Sequence, residues 1–180
     1  MNYIVFDLEL NSKVFKSKIP NEIIEIGAIK LNEQLEMTDS FQAFVKPKVH
    51  RRLFPVVKRK TNILQQDIND ARSFKEVLAS FREWIGSNYV LCSWGHDDIH
   101  HLKLNCQFNR ASIKWINAHI DVQKHFSKIY NAPAGQRYSL SRALEILEIP
   151  VEEELHRADV DAKFTAEVFV RIYEKIENLN

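Results

Sequence analysis

Tyr3-Ile4-Val5-Phe6-Asp7-Leu8-Glu9-Leu10 is the stretch on which the reading of this chain turns. Its apolar residues predict a β-strand over Tyr3 to Leu8, yet two carboxylates stand on alternate positions at its end. Side chains two apart in a strand share a face and lie about 7 Å apart, so Asp7 and Glu9 point the same way. On an exposed strand water would screen them. Inside a sheet, as Ile4, Val5, Phe6, Leu8 and Leu10 suggest, burial and mutual repulsion both disfavour the doubly ionised pair, and a cation must compensate.

The bulk of the sequence sets the frame for that problem. A chain of 180 residues, 45% hydrophobic and 27% charged, suits one globular domain over residues 1–180 with a core that needs no staples. A net charge of +1 gives no global basic field, so a nucleic-acid partner has to be gripped by a local patch. Cys92 and Cys106 lack metal-type spacing and read as reduced thiols. No signal-peptide pattern and no apolar run of about 20 residues is present, so the expectation is a cytoplasmic protein away from the membrane.

Further strands are predicted over Glu22 to Leu31, Phe41 to Val45, Tyr89 to Cys92 and Ile116 to Val122, with a hairpin turn at Asn32-Glu33-Gln34 and a loop from Asn11 to Asn21. Helices are predicted over Ser73 to Ile85, Asp97 to Phe108, Ser139 to Leu147 and Asp159 to Glu177 from apolar residues at helical spacing and from their caps. Three strands in hairpin order followed by alternating helices and strands give an α/β fold, a mixed five-stranded sheet flanked by helices. Lys46 to Lys60 stands apart, with seven Lys or Arg residues in fifteen and two prolines that argue against regular structure. It reads either as a solvated loop or as a lobe that touches phosphate backbones.

Other acids border apolar positions. Asp98 lies one helical turn before Leu102, on the inward side of its helix, although Asp at a first turn is also a common cap. Asp161 heads a stripe that continues through Phe164, Thr165, Val168, Ile172 and Ile176, and His156 lies five residues earlier in the loop that feeds the helix. Glu152 to Glu154 reads as a solvated acidic run. Gathered together, Asp7, Glu9, Asp98 and Asp161 would repel strongly without cations. With two divalent ions about 4 Å apart they make a clamp for in-line displacement at phosphorus, and all-oxygen ligands favour Mg²⁺ or Mn²⁺ over Zn²⁺. A zinc site at His96, His100 and His101 is the competing metal reading, weakened by Gly95 beside it and by the lack of a cysteine.

These residues carry a family resemblance. Asp7-Leu8-Glu9, the strand Glu22 to Ala28, Asp98 three residues after Gly95, and His156-Arg157-Ala158-Asp159-Val160-Asp161-Ala162 resemble the motifs of the DEDDh branch of DnaQ-like 3′ to 5′ exonucleases, closest to the KapD and histone-mRNA exonuclease group. The resemblance implies a ribonuclease H-like fold and hydrolysis of single-stranded RNA, in preference to DNA, from a free 3′ end to nucleoside 5′-monophosphates. It further implies that Asp7, Glu9, Asp98 and Asp161 hold two Mg²⁺ or Mn²⁺ ions while His156 serves as general base. Leu10, Arg51, Arg52, Lys58, Arg59 and Trp94 are the candidate substrate contacts, with Phe54 a second stacking candidate. A silent nucleic-acid-binding module of the same fold and a DNA proofreading enzyme are the alternatives. The chain has Lys60-Thr61-Asn62-Ile63 where the family often has Leu-Thr-Gly-Ile, and Asp159 where an apolar residue is usual.

Overall fold

In the computed structural model, which describes residues 1–13 and 18–177, the opening strand lies at the centre of a mixed sheet. β1 (Asn2–Asn11) pairs antiparallel with β2 (Glu22–Leu31), which pairs antiparallel with β3 (Met37–Lys46). On its other side β1 runs parallel to β5 (Tyr89–Ser93), and β5 runs parallel to β6 (His119–Asp121). With β4 at Arg72–Ser73, the order is β4-β3-β2-β1-β5-β6.

Among the described residues the sheet has six strands, one more than the sequence suggested. The extra one, β4 (Arg72–Ser73), pairs parallel with Val45 and Lys46. Two residues are too few to show the alternation by which a strand is read. Similarly, the expected strand over Ile116 to Val122 shrinks to His119–Asp121, because Val122 already opens a helix. Residues 14–17 of the expected loop lie outside the described residues.

Both faces of β1 are covered. Ile4, Phe6 and Leu8 pack with Val77, Phe81 and Ile85 of α3 (Phe74–Ile85) and with Ile99 and Leu102 of α4 (Asp97–Phe108). Tyr3 and Val5 pack against α7 (Ala158–Glu177), together with residues of α5 (Val122–Ile129) and α6 (Leu140–Ile146). Burial on both sides explains why β1 and β2 read as nearly continuous apolar runs.

The basic segment holds regular structure after all. Pro55 opens α1 (Pro55–Thr61), where the missing N–H is one the helix would not use, and α2 (Gln65–Asp70) follows. Asn62 closes α1 in the left-handed conformation, with φ of 56°. The proline expected to break structure here starts a helix instead.

Candidate active site

β1 carries Asp7 and Glu9 toward the α7 side of the sheet, opposite to Phe6 and Leu8. The β1–β2 register slips between Glu9 and Leu10, so Glu9 faces Glu25 while Leu10 faces Ile23. A bulge of this kind bends a strand and re-aims its side chains. Asp161, on the first turns of α7, closes the group: carboxylate oxygens of Asp7, Glu9 and Asp161 all lie within 4.8 Å of one another. Asp98 stands alongside and accepts hydrogen bonds from the backbone N–H of Leu8 and from its own. Asp97, the preceding residue, is exposed.

The electrostatics follow from this crowding. Burial, then the charges of Asp98, Asp161 and Glu9, raises the Asp7 carboxyl well above the usual range. Burial pushes Glu9, only 7% exposed, up to about 8, against the pull of Lys60. Asp98 rises to about 7 through burial, opposed by its bond from Leu8. Asp161 is also raised by burial, opposed by His156 and Lys60. A group of oxygens that resists ionisation and lies within a few ångströms fits a divalent cation, which would remove the cause of the shifts.

His156 stands at the rim with its backbone in the left-handed region, φ 78°. That conformation costs a non-glycine residue energy and persists only where the surroundings enforce it. Here they do so from both sides. The His156 N–H donates to Asp161 Oδ1 at 3.1 Å. Next to it, Arg157 grips Glu25 with two bonds, Nε to Oε2 at 3.1 Å and Nη2 to Oε1 at 2.7 Å, and the Ala158 N–H donates to Glu25 Oε2 at 3.2 Å. Glu25 is fully buried and Arg157 one-third exposed. Gly27, two residues along the same face of β2, lets α7 sit directly on the sheet: a Cβ there would fall 2.1 Å from backbone atoms of Ala158 and Asp159.

Two clefts flank the carboxylates. One of about 150 Å³, between the end of β1 and α1, is lined by Leu8, Glu9, Leu10, Ser12, Val56, Val57, Lys60 and Thr61. The other, about 730 Å³, runs from Arg59, Lys60 and Asn62 to the loop Val151 to His156. The acidic run is not wholly free in solvent, since Glu154 accepts from Asn62 at 3.2 Å and Glu153 pairs with Lys163 at 2.6 Å.

The remaining sequence candidates scatter. Leu10 lines the small cleft and Arg59 the large one, whereas Arg51 lines a separate basic cavity. Arg52 and Lys58 are exposed and line none of these. Trp94 packs on Phe126, ring centroids 5.8 Å apart, and Phe54 on His50 at 5.6 Å. Asp159 lines a different small cleft with Met37 and Lys163. The imidazoles of His96, His100 and His101 do not converge: among the described residues only Asp7, Glu9 and Asp161 form a metal-capable group. Sequence reading missed Glu25, Arg157, Lys60, Val56 and Val57. An acid inside a buried strand was a visible signal that Glu25 needs a cation, but its partner lies 132 residues away.

A mixed sheet of this order, whose central strand ends in carboxylates met by another from α7, has the architecture of the ribonuclease H-like fold. Residues 4–169 match the family model described as Exonuclease, RNase_T. The chain belongs to that exonuclease family, in its DEDDh branch. It is 31% identical over 168 residues to 3′-5′ exoribonuclease 1 of Rattus norvegicus, covering 84% of this chain and 47% of the relative. It is 33% identical over 176 residues to DNA polymerase III PolC-type of Clostridium perfringens, covering 97% of this chain and 11% of that protein. The chain thus spans less than half the length of these relatives. Among solved structures, the nuclease domain of 3′hExo, a DEDDh family member bound to rAMP, superposes with a TM-score of 0.87 at 26% identity, covering 97% of this chain and 92% of that one.

Proposed function

We propose that the chain is a metal-dependent 3′ to 5′ exonuclease that removes nucleoside 5′-monophosphates from single-stranded RNA in preference to DNA. The observation that carries this reading is the convergence of Asp7, Glu9 and Asp161, with Asp98 alongside and His156 held at the rim. Asp7, Glu9, Asp98 and Asp161 would hold two divalent ions of the Mg²⁺ or Mn²⁺ type, which supply Lewis-acid stabilisation of charge developing at phosphorus. The protein's own work is positioning and proton transfer. His156 accepts the proton of the attacking water, its loop fixed by the Glu25–Arg157 grip. Leu10, Val56 and Val57 offer an apolar slot for the terminal nucleoside beside Glu9, while Arg59 and Lys60 bring positive charge toward the scissile phosphate. His156 in a strained conformation beside buried acids argues against a silent binding module, which has no need of either.

The preference for RNA draws support from the match to 3′-5′ exoribonuclease 1. The equally strong match to PolC-type polymerases favours DNA as the second reading. Two buried, unpaired cysteines, with Cys106 pushed by burial up to about 11, suit a reducing cytoplasm. Degradation of matched single-stranded RNA and DNA oligomers, labelled at the 5′ end and resolved by length with Mg²⁺ or Mn²⁺, tests the proposal. A ladder shortening from the 3′ end, faster on RNA, is expected; internal cuts or no cleavage would overturn it.

A further inference from the structure

A cavity of about 540 Å³ lies on the other side of the sheet from the carboxylates, between β2, β3, α3 and the end of α4. Five cations line it: Lys46, Lys48, Arg51, Lys75 and Arg110. None of them is in an ion pair among the described residues. The one acid in the wall, Glu22, is buried and spent on the backbone, accepting from the N–H groups of Lys48 at 2.6 Å, Val49 at 3.1 Å and His50 at 2.8 Å. That arrangement folds residues 48–50 and brings Lys48 and Arg51 to the cavity. Glu76, beside Lys75, is turned back on Ser73.

Two of the five cations stand where the local backbone would favour something else. Lys75 occupies the first turn of α3, where the helix dipole favours an anion. Arg110 sits at φ 55°, a conformation better suited to Asn or Gly. Both side chains add positive charge to one cavity. Its place selects the anion: Glu22 pairs with Asn11, two residues beyond Glu9, so the cavity opens at the same end of the sheet as the carboxylate cluster. Resting on the exonuclease reading, we infer that this cavity is a second strand-binding site, taking phosphates of the single strand upstream of the 3′ end held in the catalytic cleft.

The test uses the full chain carrying Asp7→Asn, so that bound strands are not consumed, with and without Lys75→Glu and Arg110→Asn. Both substitutions suit their backbone positions, and thermal melting verifies the fold. For a labelled single strand of about 20 nucleotides, the double substitution should weaken binding about 10-fold and flatten the salt slope by about 1.4, two contacts at about 0.7 each. With Asp7 restored, a dinucleotide has one phosphodiester and cannot reach both sites, so its cleavage should change less than about twofold. Unchanged affinity and slope would overturn the inference, as would an equal loss on the dinucleotide. Poly-glutamate binding as tightly as the strand, with the same loss on substitution, would also overturn it by making the cavity a site for acidic protein. Failure of the exonuclease reading shows differently, as no cleavage of any strand by the unsubstituted chain.

Discussion

The two sides of the sheet end in opposite charge, and the charge is handled in opposite ways. On the α7 side and at the adjoining start of α4, carboxylates are drawn into the protein until burial and repulsion push Glu9 to about 8 and Asp98 to about 7. On the α3 side, Lys46, Lys48, Arg51, Lys75 and Arg110 stay exposed around a cavity. Buried like charges are costly without a counter-ion, so the acidic side calls for a bound cation. Solvated cations cost little, and suit a polyanion that comes and goes. The acidic side should therefore govern turnover and the basic side affinity.

The most forceful way to break that division is Asp7→Ala. Turnover should fall by at least about 1,000-fold, since several kcal/mol of transition-state stabilisation is lost. Strand affinity should hold. Steady-state cleavage and direct binding measured on the same preparation check it, and cleavage at the wild-type rate would mean that the acidic cleft is not the reaction centre.

His156→Ala comes next, with turnover lowered about 100-fold and divalent-ion binding retained. Calorimetric titration with Mn²⁺ separates a base from a ligand: loss of both ion-binding events would reassign His156 to the metal set. A smaller fall, about 10-fold in kcat with KM little changed, is expected of Glu25→Gln, which weakens the grip on Arg157 and loosens the His156 loop. A rise in KM alone would tie Glu25 to substrate binding instead.

The mildest effect concerns stability in metal-free buffer. Because Glu9 and Asp98 titrate higher in the folded protein than in the unfolded chain, the folded form binds more protons across the interval between. Their contribution is fully present below about pH 4 and is lost as the pH rises through about 8. Glu9→Gln should accordingly melt about 3–8 °C above wild type at pH 8, with the gap closing toward pH 5. Added Mg²⁺ or Mn²⁺ should raise the wild-type melting temperature at pH 8 and not that of Asp7→Ala. A variant that melts lower at pH 8 would show that Glu9 stabilises the apo fold.

Much of this was legible in the chain itself. Alternation placed Asp7 and Glu9 on one face of β1, and helical spacing put Asp161 at the head of the stripe Phe164, Val168, Ile172 and Ile176, all four buried. Those regularities come from covalent geometry and repeat within a few residues, so sequence alone determines them. The tertiary structure decided what crosses between layers. It split the basic segment so that Arg59 and Lys60 face the carboxylate side while Lys46, Lys48 and Arg51 join Lys75 and Arg110 on the other. It also gave Glu25 its Arg157, which depends on α7 lying flush on β2 where Gly27 has no side chain to hold it off. Such pairings depend on how closely two elements approach in space, and sequence separation carries no record of that distance.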